Sequence, residues 1–257
     1  MNSEESRTWF VEPGSIVRTI WGRSDFVLFI FAGAAAEFSL NKAVDWLFFT
    51  GRLPADPLGR LFSTVTYARL IVFSPLQRAH EVIDRMSAIH HDVENKRGAV
   101  IPDWAYRDVL YMLIDYSIRS YELLARPLNT NEKAEVYNVF LRVGQRMQIP
   151  SLPSTYQSWL DDREKHMKAN LDVSDFMRDL YNQYRLHLGP IRYRILLGAQ
   201  AVITPPMVKQ KLKLRGWGVF RVLIFLYKVA VVLRMDGLLK NAILPSRYVD
   251  EVRKIDQ

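Results

Sequence analysis

Apolar residues recur every three or four positions along most of this chain, and stretches that alternate apolar with polar residues are scarce. A period near 3.6 gathers every third or fourth side chain onto one face of a helix, whereas a half-buried strand needs a period of two. The pattern therefore selects an all-α fold. An apolar segment runs from about Phe26 to Phe49, with a break expected near Ser39-Leu40-Asn41. Leu58, Leu61, Phe62, Val65 and Ala68 predict a helix ending near Phe73. Ser74-Pro75-Leu76-Gln77 then reads as a restart, with Ser74 as N-cap, Pro75 at the first helical position and Gln77 completing a capping box. Ala79, Val82, Ile83, Met86, Ile89 and Val93 share one face of that next helix. A central helix is expected from Pro102-Asp103 to about Ala125, and Asn129 to Glu132 caps another reaching about Met147. Helices over about 154–170 and 174–187 follow, Gly189-Pro190 breaks the chain, and Thr204-Pro205-Pro206 caps a late helix. With 257 residues and no evident linker, this is one multi-helix bundle. Residues 1–22 read as an N-terminal arm and 23–257 as the single domain.

Several function classes fall away on composition. There is no cysteine, so disulfides, zinc-thiolate sites, iron–sulfur clusters and thiolate-ligated haem are excluded. The first residues, Met1 to Ser6, are acidic and lack the basic and apolar regions of a signal peptide, which points to a cytoplasmic protein. Phe26 to Ala36 is too short to span a bilayer, and Trp217 to Leu233 is interrupted by Arg221 and Lys228. The net charge of +8 is uneven. Between Met207 and Met235 lie Lys209, Lys211, Lys213, Arg215, Arg221, Lys228 and Arg234 with no acid among them, interleaved with large apolar side chains. That is either a solvated helix face with snorkelling lysines or a peripheral contact with an anionic membrane. No nucleic-acid-reading motif accompanies the charge, so nucleic acid is not expected as a partner.

Two constellations carry chemistry. The five histidines are His80, His90, His91, His166 and His187. His90 is in phase with the apolar stripe of its helix, four residues after Met86, whereas His80 and His91 align with the polar Asp84 and Ser87. An inward imidazole is either a core histidine bonded to a backbone carbonyl or an axial metal ligand. On the preceding helix Arg60, Ser63, Thr64 and Tyr67 share one face, as a helix start with ordinary polar residues or as a polar cluster able to hydrogen-bond a small ligand. The pair Asp161-Asp162 reads as exposed. No HExxH, phosphate loop or GxSxG elbow is present.

In their linear order, Asp56-Pro57, Arg60, Thr64, Arg85-Met86 and Ile89-His90 resemble the signature region of the MpaB/latex-clearing (rubber oxygenase) family. Asp108-Val109-Leu110-Tyr111, the stretch from Tyr121 through Arg126-Pro127-Leu128 to Glu132, Gly144 to Ile149 with Leu152-Pro153, and Ile203 to Pro206 continue the resemblance over roughly residues 50–215. The resemblance implies a globin-like bundle holding haem b, with His90 as the iron ligand and Arg60 and Thr64 at or near the distal pocket. It implies O₂-dependent oxygenation of an apolar, isoprenoid or lipid-like alkene. Ser63 stands where rubber oxygenases place a distal lysine, which alters the expected distal chemistry. Two other readings remain open: a haem protein that is not an oxygenase (a sensor or peroxidase-like enzyme), and a haem-free helical protein that docks on membranes.

Overall fold

A computed structural model describes residues 8–49, 51, 57–215 and 218–232. Among them are eleven helices and no strand: α1 Ile16–Trp21, α2 Ser24–Leu40, α3 Val44–Phe49, α4 Pro57–Phe73, α5 Leu76–Arg97, α6 Asp103–Leu124, α7 Thr130–Arg146, α8 Tyr156–Asn170, α9 Asp175–Ile203, α10 Pro206–Lys211 and α11 Gly218–Val232. The all-α bundle expected from periodicity is what forms. Residues 52–56, Trp217, Arg234 and the rest of the final segment 233–257 lie outside the described residues.

Helices α2 and α6 make the closest pair, and α1, α7, α8 and α9 gather around them. The break foreseen near Asn41 is real and has a visible cause. The Asn41 side-chain amide donates to buried Asp108 at 2.7 Å while its Oδ1 accepts from Ala43 N at 2.9 Å, so the residue leaves helical geometry and redirects the chain into α3. Gly33 lets α2 approach α6 closely, because a Cβ there would lie 2.2 Å from the Tyr116 ring. The segment read as an arm is also built into the interior: Val17, Ile20 and Trp21 of α1 are fully buried, and Trp21 Nε1 donates to Ser117 Oγ at 3.2 Å.

Helices α4 and α5 form an antiparallel hairpin turning at Ser74-Pro75. The expected Ser74 cap does not form. Pro75 is the N-cap residue of α5, without a side-chain cap bond. The N-terminal arm supplies the bond instead, since Leu76 N donates to Thr8 O at 2.9 Å beside the Trp9–Pro75 bridge. The far side of α5 is tied to α7 by a bidentate pair, Arg146 to Asp84, at 2.7 and 2.6 Å. Helix α7 itself opens with the foreseen capping box between Asn129 and Glu132.

The break at Gly189-Pro190 is also real. Gly189 has φ 71° and ψ 174°, and α9 is two arms joined there. Tyr181 Oη donates to Gln200 Oε1 at 2.9 Å across this joint. In a straight helix those residues would stand about 28 Å apart, so the second arm folds back on the first.

Candidate functional site

His90 lies on α5 and is half-buried, its ring edge against Tyr106 of α6 with centroids 5.4 Å apart. Its Nδ1 is 2.8 Å from the Met86 carbonyl oxygen. A carbonyl only accepts, so this contact places the proton on Nδ1 and the imidazole lone pair on Nε2. A ligating histidine is commonly fixed this way, with the non-ligating nitrogen donating to a carbonyl or carboxylate. The contact alone does not single His90 out, because His91 makes the same bond to Ser87 O at 2.9 Å. Surroundings distinguish them: His91 is exposed, whereas His90 is half-buried and backed by an aromatic ring.

That backing is itself anchored. Tyr106 Oη donates to Glu94 Oε1 at 3.2 Å, and Glu94, one turn beyond His90, also accepts from Ile101 N at 2.9 Å. Burial, reinforced by the Glu94 charge and hydrogen bond, raises the Tyr106 phenol well above its ordinary range and keeps it neutral. Met86, His90, Glu94 and Tyr106 thus form one continuous arrangement along α5 and the start of α6.

The other residues singled out in the sequence lie on α4, which packs against α5. Thr64 is half-buried and Ser63 exposed. Arg60 falls in the first turn of α4, and its side chain lies outside what the structure describes. His80, expected to face solvent, is half-buried. The N-terminal arm covers it, with the Phe10 ring 6.0 Å away and edge-on.

A second polar constellation was not read from the sequence. His166 on α8 places Nδ1 2.5 Å from Asp108 Oδ1 and Nε2 3.6 Å from Asp162 Oδ2. Asp108, 2% exposed, also accepts from Asn41 and Asn170, and Tyr111 Oη donates to Asp162 at 2.7 Å. Asp161 is exposed as expected, but Asp162 is half-buried and engaged. The signal available was spacing: Asp162 and His166 stand at i, i+4 on one helix, and Asp108 and Tyr111 at i, i+3 on another. One turn away, Arg163 pairs with Glu37 through both guanidinium NH groups, the second at 2.6 Å, with Tyr116 Oη adding a bond to Glu37 at 2.9 Å. Burial alone would lower the Arg163 pKa, but the Glu37 charge and hydrogen bond outweigh it and raise it.

Of the three half-buried imidazoles on helix faces, His166 has both ring nitrogens against carboxylates, whereas His80 and His90 each pack against an aromatic ring. Among the described residues no group of three or more His, Asp or Glu side chains is arranged to hold a metal ion. A porphyrin needs only one such protein donor, because its four nitrogens supply the rest, so a lone imidazole is chemically compatible with haem.

The fold defines the class as an all-α bundle, with a half-buried imidazole held on α5. The particular family follows from comparison. The model of the ER-bound oxygenase mpaB/B′/rubber oxygenase catalytic domain matches residues 21–234, and the chain belongs to this family of oxygenase catalytic domains. No curated protein and no solved structure matches it.

Proposed function

We propose that this protein is a haem b-dependent oxygenase using O₂ on an apolar, isoprenoid or lipid-like alkene, with His90 as the protein ligand. The observation that carries the reading is the supported His90 imidazole inside a chain that belongs to an oxygenase family. Bound haem would supply the dioxygen chemistry. The chain's own contributions are narrower. Met86 O fixes the His90 tautomer, the Tyr106–Glu94 pair holds the ring's orientation, and Thr64, with Arg60 and Ser63 on the same helix, brings hydroxyl and guanidinium groups to the opposite side of the hairpin. Serine at position 63 is too short to reach across the hairpin as a lysine could, which leaves the distal side to small ligands.

The test is an absorption spectrum with a haem assay on protein reconstituted with haemin. A Soret band that His90→Ala abolishes and His91→Ala preserves is expected. Absence of the band from the unmodified protein, or equal loss in both variants, would sink this reading. Oxygen uptake with candidate alkenes separates an oxygenase from a haem sensor or peroxidase-like protein.

A second element of the proposal is contact with an anionic membrane surface from the C-terminal side. Val222, Leu223, Phe225 and Leu226 of α11 are about half or more exposed, while Ile224 is buried. Lys213 and Arg215 are exposed just before this helix, and Lys209 and Lys211 are half-buried on α10. No helix among the described residues is long and apolar enough to cross a membrane. Co-sedimentation with anionic vesicles that weakens with salt is expected; binding indifferent to lipid charge would remove this element.

A further inference from the structure

The back-folded second arm of α9 creates a pocket of about 370 Å³ against the segment 212–215, with no residue of the α4–α5 hairpin in its lining. That volume lies at the low end of ligand sites, which run from about 300 to 1,000 Å³. Its polarity is divided. Met177, Leu197, Leu212 and Leu214 line it together with the rings of Tyr181 and Tyr193. Burial pushes both phenols above their ordinary range, and Tyr181 spends its hydroxyl on Gln200, so this part of the lining carries no charge.

The remaining lining residues are Arg194, Lys213 and Arg215, and no acidic side chain lines the pocket. Among the described residues none of these three cations makes an ion pair. Lys213 is held there by a left-handed backbone, φ 53°, that ends α10 and turns the segment back toward α9. Three uncompensated cations around a neutral, apolar concavity are complementary to a molecule with one anionic end and a hydrocarbon body. The volume admits one chain and not the two of a diacyl lipid.

We propose that this pocket binds a single-chain amphiphile with an anionic head, a long-chain carboxylate or a lysophospholipid with a terminal phosphate. The head pairs with Arg194, Lys213 and Arg215, and the first part of the chain lies along Leu197 and the tyrosine rings. The site stands whether or not haem is bound elsewhere; it shares Lys213 and Arg215 with the basic stretch proposed to approach a membrane, but Arg194, Leu197 and the tyrosine rings belong to the pocket.

Calorimetric titration of the full chain with oleate, below the concentration at which oleate aggregates, tests this directly. One oleate per chain is expected, bound at least tenfold more tightly than oleyl alcohol, with butyrate and inorganic phosphate giving no saturable binding. Lysophosphatidate binding better than oleate would assign the head as a phosphate, and the reverse would assign a carboxylate. Lys213→Gly removes a cation where the backbone already suits glycine, and together with Arg215→Gln it is expected to weaken oleate at least tenfold with unchanged helicity. Leu197→Trp is expected to block the chain. Equal affinity for oleate and oleyl alcohol, several oleates per chain untouched by Leu197→Trp, or phosphate binding as tightly as oleate would each overturn the proposal. Because the readout is binding rather than turnover, its failure is distinguishable from failure to take up haem.

Discussion

The seam between α2, α6 and α8 and the hairpin of α4 and α5 treat their polar residues in opposite ways. In the seam, Glu37 is fully buried and Arg163 is 4% exposed, and Glu37, Arg163, Asp115 and Tyr116 use one another. Asp108 bonds three side chains on two other segments, Asn41 after α2 and His166 and Asn170 of α8. In the hairpin, His90 and Thr64 are only half-buried and Ser63 is exposed. Buried charge is tolerated only where partners surround it, so the seam is committed to holding three helices in one register. The hairpin's polar groups lie closer to the surface, and the proposed cofactor site is on that side of the contrast.

The largest effect expected from breaking this contrast is in the seam. Arg163→Met leaves Glu37 as a buried carboxylate with only Tyr116 for company, at a cost of about 3–5 kcal/mol. Chemical denaturation is the measurement. The double variant Glu37→Leu with Arg163→Met is expected to recover much of that loss, because both charges are then gone. A single variant as stable as the parent would mean the ion pair does not organise the seam.

Much of the architecture was legible because local signals decided it. Apolar periodicity, the capping box at Asn129 and the joint at Gly189 are each set by residues close in sequence, and the break at Asn41 in part, through its bond from Ala43. The Ser74 cap failed because a partner 66 positions away, the Thr8 carbonyl, took the Leu76 amide. His80 was misplaced for the same reason, since the arm bearing Phe10 covers it. The Asp108–His166 cluster was invisible to periodicity because its members come from α6, α8 and the turn after α2. The candidate haem residues were legible only through family resemblance, and His90's phase on its helix fixed nothing beyond which way the ring points.

His166 in the seam and His90 in the hairpin sharpen the comparison next. His166→Ala leaves Asp108 and Asp162 each short of a partner and is expected to cost about 1–3 kcal/mol. His90→Ala removes a ring from a partly exposed helix face, so its cost to the haem-free protein is expected below about 1 kcal/mol. The order reverses for haemin binding, where His90→Ala is expected to lose at least tenfold and His166→Ala little. Parallel thermal melts and haemin titrations would show it, and the same rank order in both assays would erase the distinction between seam and hairpin.

Gly33→Ala probes how tightly the seam closes. The added methyl meets the Tyr116 ring, whose hydroxyl is held by Glu37, so the ring cannot swing away without losing that bond. Overpacking of this kind costs about 1–3 kcal/mol. Double-mutant measurement with Tyr116→Leu, which clears the space, is expected to be less than additive.

The smallest effect belongs to the opening of α7, where exposed charges rather than buried ones are at work. Glu132 is lowered from 4.5 to about 2, first by its hydrogen bond from Arg126 and then by the Asn129 backbone amide. A carboxyl held lower in the folded protein contributes stability above its unfolded value, and that contribution fades as pH falls from about 4.5 toward 2. Glu132→Gln is expected to flatten that part of the stability–pH curve while leaving the curve near neutrality almost unchanged, because the pair is exposed and solvent screens it. Asn129→Ala, which removes the other half of the capping box, is expected to cost about 1 kcal/mol at every pH. If Glu132→Gln leaves the acid limb as steep as before, the capping box is a local feature of α7 rather than a titrating contributor to the fold.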